Sequence, residues 1–109
     1  MITVKLDAEL YGDITVHQDE DLFSPECASF IGKAMHHSRM FRRGRARWYE
    51  VDVTPEELSA VIDEVVAVWV SDYEDRADYS YDPTERKELR ATVRKYRKFI
   101  AEHERKDNE

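Results

Sequence analysis

Three segments of the chain share one pattern: a side chain that can cap a helix, then proline, then an acidic residue within two positions. They are Ser24-Pro25-Glu26, Thr54-Pro55-Glu56 and Asp82-Pro83-Thr84-Glu85. The cap accepts a hydrogen bond from an unpaired backbone N–H, and proline at the first helical position gives up no helical hydrogen bond. Acidic residues in the first turn favour the positive end of the helix dipole. The pattern predicts three helices, each beginning at its proline.

Each predicted helix carries an apolar stripe whose members lie mostly three or four residues apart. The first helix is predicted over 25–37 and the last over 83–104. The inward-facing residues are Cys27, Phe30, Ile31 and Ala34, then Leu58, Val61, Ile62, Val65, Trp69 and Tyr73, and finally Leu89, Val93, Tyr96, Ile100 and His103. The β-branched run 65–70 also fits a strand, but the upstream cap and Asp63-Glu64 at helical phase favour a helix.

Apolar and polar side chains alternate over residues 2–10, which predicts a half-buried strand. Ile14 and Val16 predict a second strand, paired with the first in a hairpin. A three-residue loop, 11–13, pairs Leu10 with Ile14 and keeps one apolar face, which a two-residue loop would not.

A third strand is predicted over 47–53, after a loop formed by Arg42-Arg43-Gly44-Arg45. The predicted order is β-β-α-β-α-α, an α+β fold in which a small, mostly antiparallel three-stranded sheet packs against helices. With 109 residues, the chain fits one domain, predicted over 1–104 and followed by a frayed C-terminal tail at 105–109. Charged residues make up 38% of the chain, so the domain should have a heavily charged surface.

The sequence indicates a cytoplasmic protein with no membrane partner. Its longest apolar run, 65–70, is far below the ~20 residues that a membrane span needs. The first residues show no basic start followed by an apolar block, so no signal peptide is expected. Cys27 is the only cysteine, which excludes an internal disulfide and suggests a reducing compartment.

Residue patterns typical of catalysis or metal binding are missing from the sequence. His36-His37 would diverge by about 100° on a helix, and no zinc-ligand spacing is present. Cys27 lies at a helix start, where a thiol can become reactive, but its place beside Phe30 favours inward packing. The chain has no nucleophile elbow or phosphate-binding glycine loop. We therefore expect no enzymatic activity, no cofactor and no metal site.

Charge is strongly segregated along the chain. One acidic stretch comprises Asp7, Glu9, Asp13, Asp19, Glu20, Asp21 and Glu26, and residues 50–85 hold twelve acids and one base, Arg76. Two basic clusters oppose them. The first comprises Arg39, Arg42, Arg43, Arg45 and Arg47. The second, on the last helix, comprises Arg86, Lys87, Arg90, Arg94, Lys95, Arg97 and Lys98. The clusters either neutralise the acidic segments or recruit a partner.

Two surfaces are predicted to bind a partner. The first is the arginine loop with its neighbouring aromatic residue, namely Arg42, Arg43, Arg45, Arg47 and Trp48. The second is an acidic, tyrosine-rich connector between the last two helices, with Tyr73, Asp75, Asp78, Tyr79 and Tyr81. Read as an EF-hand loop from Asp72, this connector fails, because Ala77 occupies the position that requires glycine. A solvated connector without a binding role is the alternative.

The stripe of the last helix, with Leu89, Val93, Tyr96 and Ile100, predicts either a homodimer seam or packing against the second helix. Two heptads are too few for a stable free coiled coil, so packing within the chain is the simpler interpretation.

The segment from Arg47 to Leu58 resembles a strand-cap-helix segment that is frequent in small uncharacterised proteins of actinobacteria and their bacteriophages. The preference for arginine over lysine, and a single asparagine, Asn108, suit a GC-rich genome. The resemblance implies a bacteriophage-encoded host-modulating factor and assigns no active-site residue.

The sequence therefore predicts a non-enzymatic protein–protein interaction module that binds a host or cellular protein, such as a phage-encoded inhibitor. The alternative is a nucleic-acid-binding protein that uses the arginine loop and the basic C-terminal helix. A net charge of −7 disfavours this alternative, because long-range repulsion would slow the approach to nucleic acid.

Overall fold

The computed structural model describes the backbone of residues 1–107 and the side chains of residues 1–103. The strands are β1 (Ile2–Asp7), β2 (Arg39–Arg43) and β3 (Ala46–Val53). The helices are α1 (Ala8–Thr15), α2 (Pro25–His36), α3 (Pro55–Val61), α4 (Ala67–Tyr79) and α5 (Pro83–Asp107), and a π-helical segment, Ile62–Val66, joins α3 to α4. The predicted α+β class is confirmed.

The three strands form one antiparallel sheet in the order β1-β3-β2, so that β3 is central. Val4 pairs with Val51, and Leu6 pairs with Tyr49. Because side chains alternate along a strand, Val4, Leu6, Val51 and Val53 share one face, and all four are buried. The predicted small antiparallel sheet of three strands is confirmed.

The predicted N-terminal hairpin is wrong, because the residues after β1 form the helix α1. The Asp7 side chain accepts a hydrogen bond from the Glu9 backbone N–H at 3.0 Å and caps this helix. Leu10 and Ile14, which the prediction paired across two strands, lie one helical turn apart and are both buried. The second strand is β2, so the predicted arginine loop is a hairpin whose turn is only Gly44-Arg45.

All three predicted helix starts are confirmed. Ser24 Oγ accepts from the Cys27 N–H at 3.3 Å, and Thr84 N donates to Asp82 Oδ1 at 2.9 Å. Thr54 and Glu57 form a complete capping box, with distances of 3.1 Å and 2.8 Å between their side-chain oxygens and each other's backbone nitrogen.

The chain divides into two compact units, Met1–Val65 and the chain from Val66 onward. The first unit contains the sheet with α1, α2 and α3, and its buried residues include Phe30, Ile31 and Leu58. The second unit contains α4 and α5, whose rings at Tyr73 and Tyr96 meet edge to face at 5.7 Å. The prediction of one domain over 1–104 stays a prediction. The frayed tail predicted over 105–109 also stays a prediction, and residues 108–109 lie outside the described residues.

Within the described part of the chain, every helix is too short or too polar to cross a lipid bilayer.

Candidate functional site

The arginine cluster lies on an exposed β-hairpin, β2–β3, which we call the arginine hairpin. Gly44 has a φ of +62° at the first position of its two-residue turn, as a type II′ turn requires. The strand β2 is at the edge of the sheet, and all five of its residues are exposed. The hairpin therefore presents both its side chains and one backbone edge to solvent.

Most arginines of the hairpin have no acidic partner among residues 1–103. Arg39 lies 3.9 Å from Asp52, and both side chains are about half exposed. The other four, which form no ion pair among residues 1–103, are Arg42, Arg43, Arg45 and Arg47. All four are exposed, so their positive charge is available to a partner.

The outer face of the hairpin carries a pair of stacked aromatic rings. Phe41 and Trp48 are cross-strand partners whose rings are nearly parallel, with centroids 5.8 Å apart. The Lys5 Nζ atom lies 4.5 Å from the Trp48 ring, within cation–π range. Trp48 Nε1 also donates to Glu50 Oε2 at 3.1 Å. This face combines aromatic surface with charges of both signs.

The opposite face of the hairpin borders an open cleft of about 550 Å³. Its charged lining residues are Asp7, Glu9, Arg42, Arg45 and Arg47. Tyr49, on the same face as Arg47, stacks on Tyr11 of α1 with ring centroids 3.6 Å apart. That stack packs strand β3 of the hairpin against α1.

The predicted acidic connector is mostly helix. Only Ser80–Asp82 links α4 to α5, because Asp72 to Tyr79 form the end of α4. Tyr73 is 9% exposed and packs against Tyr96, so its predicted place on a binding surface is wrong. The predicted residues that remain on the surface are Asp75, Asp78, Tyr79 and Tyr81. The apolar stripe predicted for the second helix also included Tyr73, and this buried position is the one that the structure shows.

The basic residues of α5 are partly neutralised by α4. Arg97 forms an ion pair with Glu74, and Arg90 lies 4.0 Å from Asp78. Arg86 Nη2 donates to the Ser80 carbonyl at 2.6 Å. At least two of the seven bases in this cluster therefore have an acidic partner on α4, whereas within residues 1–103 one of the five bases of the arginine hairpin, Arg39, has an acidic partner.

The predicted seam of α5 packs within the chain. Leu89, Val93 and Tyr96 are buried, whereas Ile100 is only half-buried. Phe99, which the prediction left out, is buried instead and contacts the ring of His103. Packing thus accounts for this stripe, and a homodimer through α5 stays a prediction.

Cys27 is fully buried, as its inward packing requires. Burial, and to a smaller extent the carboxylate of Glu64, raise the pKa of the thiol to about 12. Glu64 itself caps α2 by accepting from the Ser24 N–H at 2.8 Å and from its hydroxyl at 2.5 Å, and these bonds lower its pKa. Among the described residues, no three His, Cys, Asp or Glu side chains are grouped to hold a metal ion.

Sequence reasoning missed β2, and with it the contribution of Met40 to the exposed hairpin. A signal was present, since Phe41 and Trp48 are equally spaced on either side of Gly44-Arg45. A glycine-containing pair between such residues is typical of a two-residue hairpin turn.

Comparison with protein-family models, with curated proteins and with solved structures found no match to this chain. Its function is therefore argued from its own residues.

Proposed function

We propose that this chain is a non-enzymatic protein-binding module whose binding surface is the arginine hairpin. One observation carries the proposal. The tip of the hairpin is surrounded by four exposed arginines that have no acid partner within residues 1–103, and β2 is an open edge of the sheet. Arginine forms strong, bidentate hydrogen bonds with carboxylates, and complementary charge speeds association. An acidic surface on a partner protein fits this hairpin.

The aromatic face of the hairpin favours a protein over a nucleic acid. A single-stranded nucleic acid whose bases stacked on Phe41 and Trp48 would bring its phosphates close to two carboxylates. These are Glu50, which accepts a hydrogen bond from Trp48, and Asp52. A protein can place basic or neutral side chains against these carboxylates and acidic side chains against the arginines. A uniformly charged phosphate backbone cannot adapt in this way.

The charge of the first unit supports the same choice. Residues 1–65 contain thirteen acids and seven bases, and five of those bases are on the arginine hairpin. A long polyanion would be repelled by the acidic remainder of the unit, whereas a protein surface with a local acidic strip would be repelled much less. The phage-encoded, host-modulating role stays a prediction.

Affinity capture from cell extract, with charge-reversed variants, tests the proposal. We expect the Arg42→Glu/Arg43→Glu variant to lose a partner protein that the wild-type chain retains. The matched control is Arg94→Glu/Lys98→Glu, which reverses two exposed charges on α5 and should retain the same partner. Circular dichroism spectra of both variants should match wild type, because none of these residues is buried.

A nuclease arm separates the two functions. Capture that persists after nuclease treatment supports protein binding. Capture that nuclease abolishes, together with direct binding of a labelled single-stranded oligonucleotide that falls steeply with salt, would overturn the proposal in favour of nucleic-acid binding.

A further inference from the structure

We propose that β2 binds its partner by strand addition, in which an extended acidic segment of the partner pairs with the open edge of the sheet. The inference rests on the proposed function and specifies the partner's chemistry and conformation. Each of its two parts, backbone pairing and side-chain complementarity, follows from a separate observation.

The backbone of β2 has one open edge. Within the sheet β2 pairs only with β3, which is itself paired on both sides. An edge strand presents unpaired N–H and C=O groups, which can pair with an extended peptide. All five residues of β2 are exposed, so the strand is open to an incoming peptide.

The side chains of β2 specify what kind of peptide fits. Arg39, Phe41 and Arg43 alternate along the strand and therefore share the outer face of the sheet. Residues directly opposite on an added strand lie about 5 Å away. The complementary segment carries an acid, an apolar residue and a second acid at alternate positions, acid–any–apolar–any–acid. On the other face, Met40 accepts a polar or apolar neighbour, and Arg42 adds a further contact where the segment carries an acid.

A second copy of β2 is a poor occupant of this edge. Antiparallel self-pairing centred on Phe41 would place Arg39 of each copy opposite Arg43 of the other, and like charges directly opposite are destabilising. The existing contact of Arg39 with Asp52, at 3.9 Å between half-exposed groups, is weak and easily exchanged for a closer carboxylate.

Fluorescence anisotropy with labelled peptides and the full chain tests the side-chain part. The probe is a short peptide with the pattern Glu–any–Leu–any–Glu in a β-prone background. We expect Arg39→Glu/Arg43→Glu to weaken binding about tenfold or more, and a Lys–any–Leu–any–Lys peptide to bind this variant in preference to wild type. The Arg94→Glu/Lys98→Glu control should bind the acidic peptide as wild type does. No preference of the variant for the lysine peptide would overturn the assignment of these two arginines.

Backbone N-methylation tests strand addition separately. Methyl groups at one set of alternate nitrogens in the acidic peptide should abolish binding, because those N–H groups face β2. Methyl groups at the other set should leave binding intact. If the two sets have equal effects, strand addition is wrong but protein binding through the arginines survives.

Two other outcomes overturn the inference differently. If no acidic peptide binds and a single-stranded oligonucleotide does, the proposed function fails as well. The second outcome is dimerisation. If the measured mass of the wild-type chain doubles as its concentration rises, and Arg39→Glu/Arg43→Glu stays monomeric, the occupant of the edge is a second copy.

Discussion

Glu57 is the ionisable residue of the first unit that the structure constrains most. Its Oε1 atom lies 2.7 Å from Lys33 Nζ and accepts from the Thr54 N–H, and the Ser29 hydroxyl donates to Oε2. Burial alone would raise the pKa, but the hydrogen bonds from Lys33, Ser29 and Thr54 lower it from 4.5 to about 2. The folded state therefore stabilises the charged form.

We expect Glu57→Gln to lower the free energy of unfolding at pH 7 by about 1–3 kcal/mol, because Lys33 loses a charged partner. Since the folded-state pKa of Glu57 is below its unfolded value, its contribution is complete above about pH 4.5 and is lost as pH falls toward about 2. The difference between variant and wild type should therefore shrink in acid. Urea denaturation at pH 7 and at low pH measures both effects.

The exposed neighbour Glu56 provides the matched control, since Glu56→Gln removes the same charge without a buried partner. Its effect on the free energy of unfolding should stay within about 0.5 kcal/mol. Equal destabilisation by both variants would show that helix-dipole charge, and not the buried network, stabilises α3.

Cys27 should resist alkylation in the native state. The thiolate is the reactive form, and both burial and the pKa of about 12 keep it scarce and inaccessible at pH 8. We expect iodoacetamide to label the chain only after denaturant is added, as measured by intact mass. Rapid labelling without denaturant would contradict the packing of Cys27 beside Phe30.

At the scale of elements, the arginine hairpin depends on its turn. A side chain at Gly44 meets no neighbouring atom, so the cost of substitution there comes from the backbone alone. We expect Gly44→Ala to lower the free energy of unfolding by about 1–2 kcal/mol, since an L residue avoids positive φ. Binding to an acidic peptide should weaken in parallel, because the turn sets the positions of Arg42 to Arg47.

Gly12 of α1 gives the opposite expectation. It is exposed within a helix, and an added Cβ there would also meet no neighbouring atom. Gly12→Ala should raise the free energy of unfolding by about 0.5–1 kcal/mol, because alanine has the better helix propensity. A loss of stability would mean that residues 8–15 are not helical in solution, and thermal melts of both glycine variants decide the point.

Elements with strong local signals were predictable from the sequence. The caps at Ser24, Thr54 and Asp82 place hydrogen-bonding groups within three residues of each helix start, so no distant contact is needed to recognise them. The segment 8–15 was misread because period-two alternation also leaves Leu10 and Ile14 four residues apart, one turn of a helix. Only its packing against the rest of the first unit distinguishes the two structures.

At the scale of the molecule, the net charge of −7 acts against an acidic partner while the hairpin attracts it. Asp19 and Asp21 are exposed and belong to the same unit as the hairpin. We expect Asp19→Asn/Asp21→Asn to speed association with the acidic peptide by about twofold at low salt, where the screening length is long. Stopped-flow fluorescence measures the rate, and the dissociation rate should not change.

High salt is the internal control for this long-range effect. At about 1 M salt the screening length falls to about 3 Å, so the variant and wild type should associate at the same rate. A rate difference that persists at high salt would mean that these aspartates contact the peptide directly.

The sequence by itself determined the α+β class, the three helix starts and the segregation of charge, because each depends on residues close together in the chain. Tertiary structure decided which charges are neutralised and which are exposed. Glu74 and Asp78 reach arginines of α5 through the packing of two helices, whereas no acid within residues 1–103 forms an ion pair with the tip of the arginine hairpin. A charge pattern along the chain cannot specify such distances, since they are set by how helices and strands pack in three dimensions.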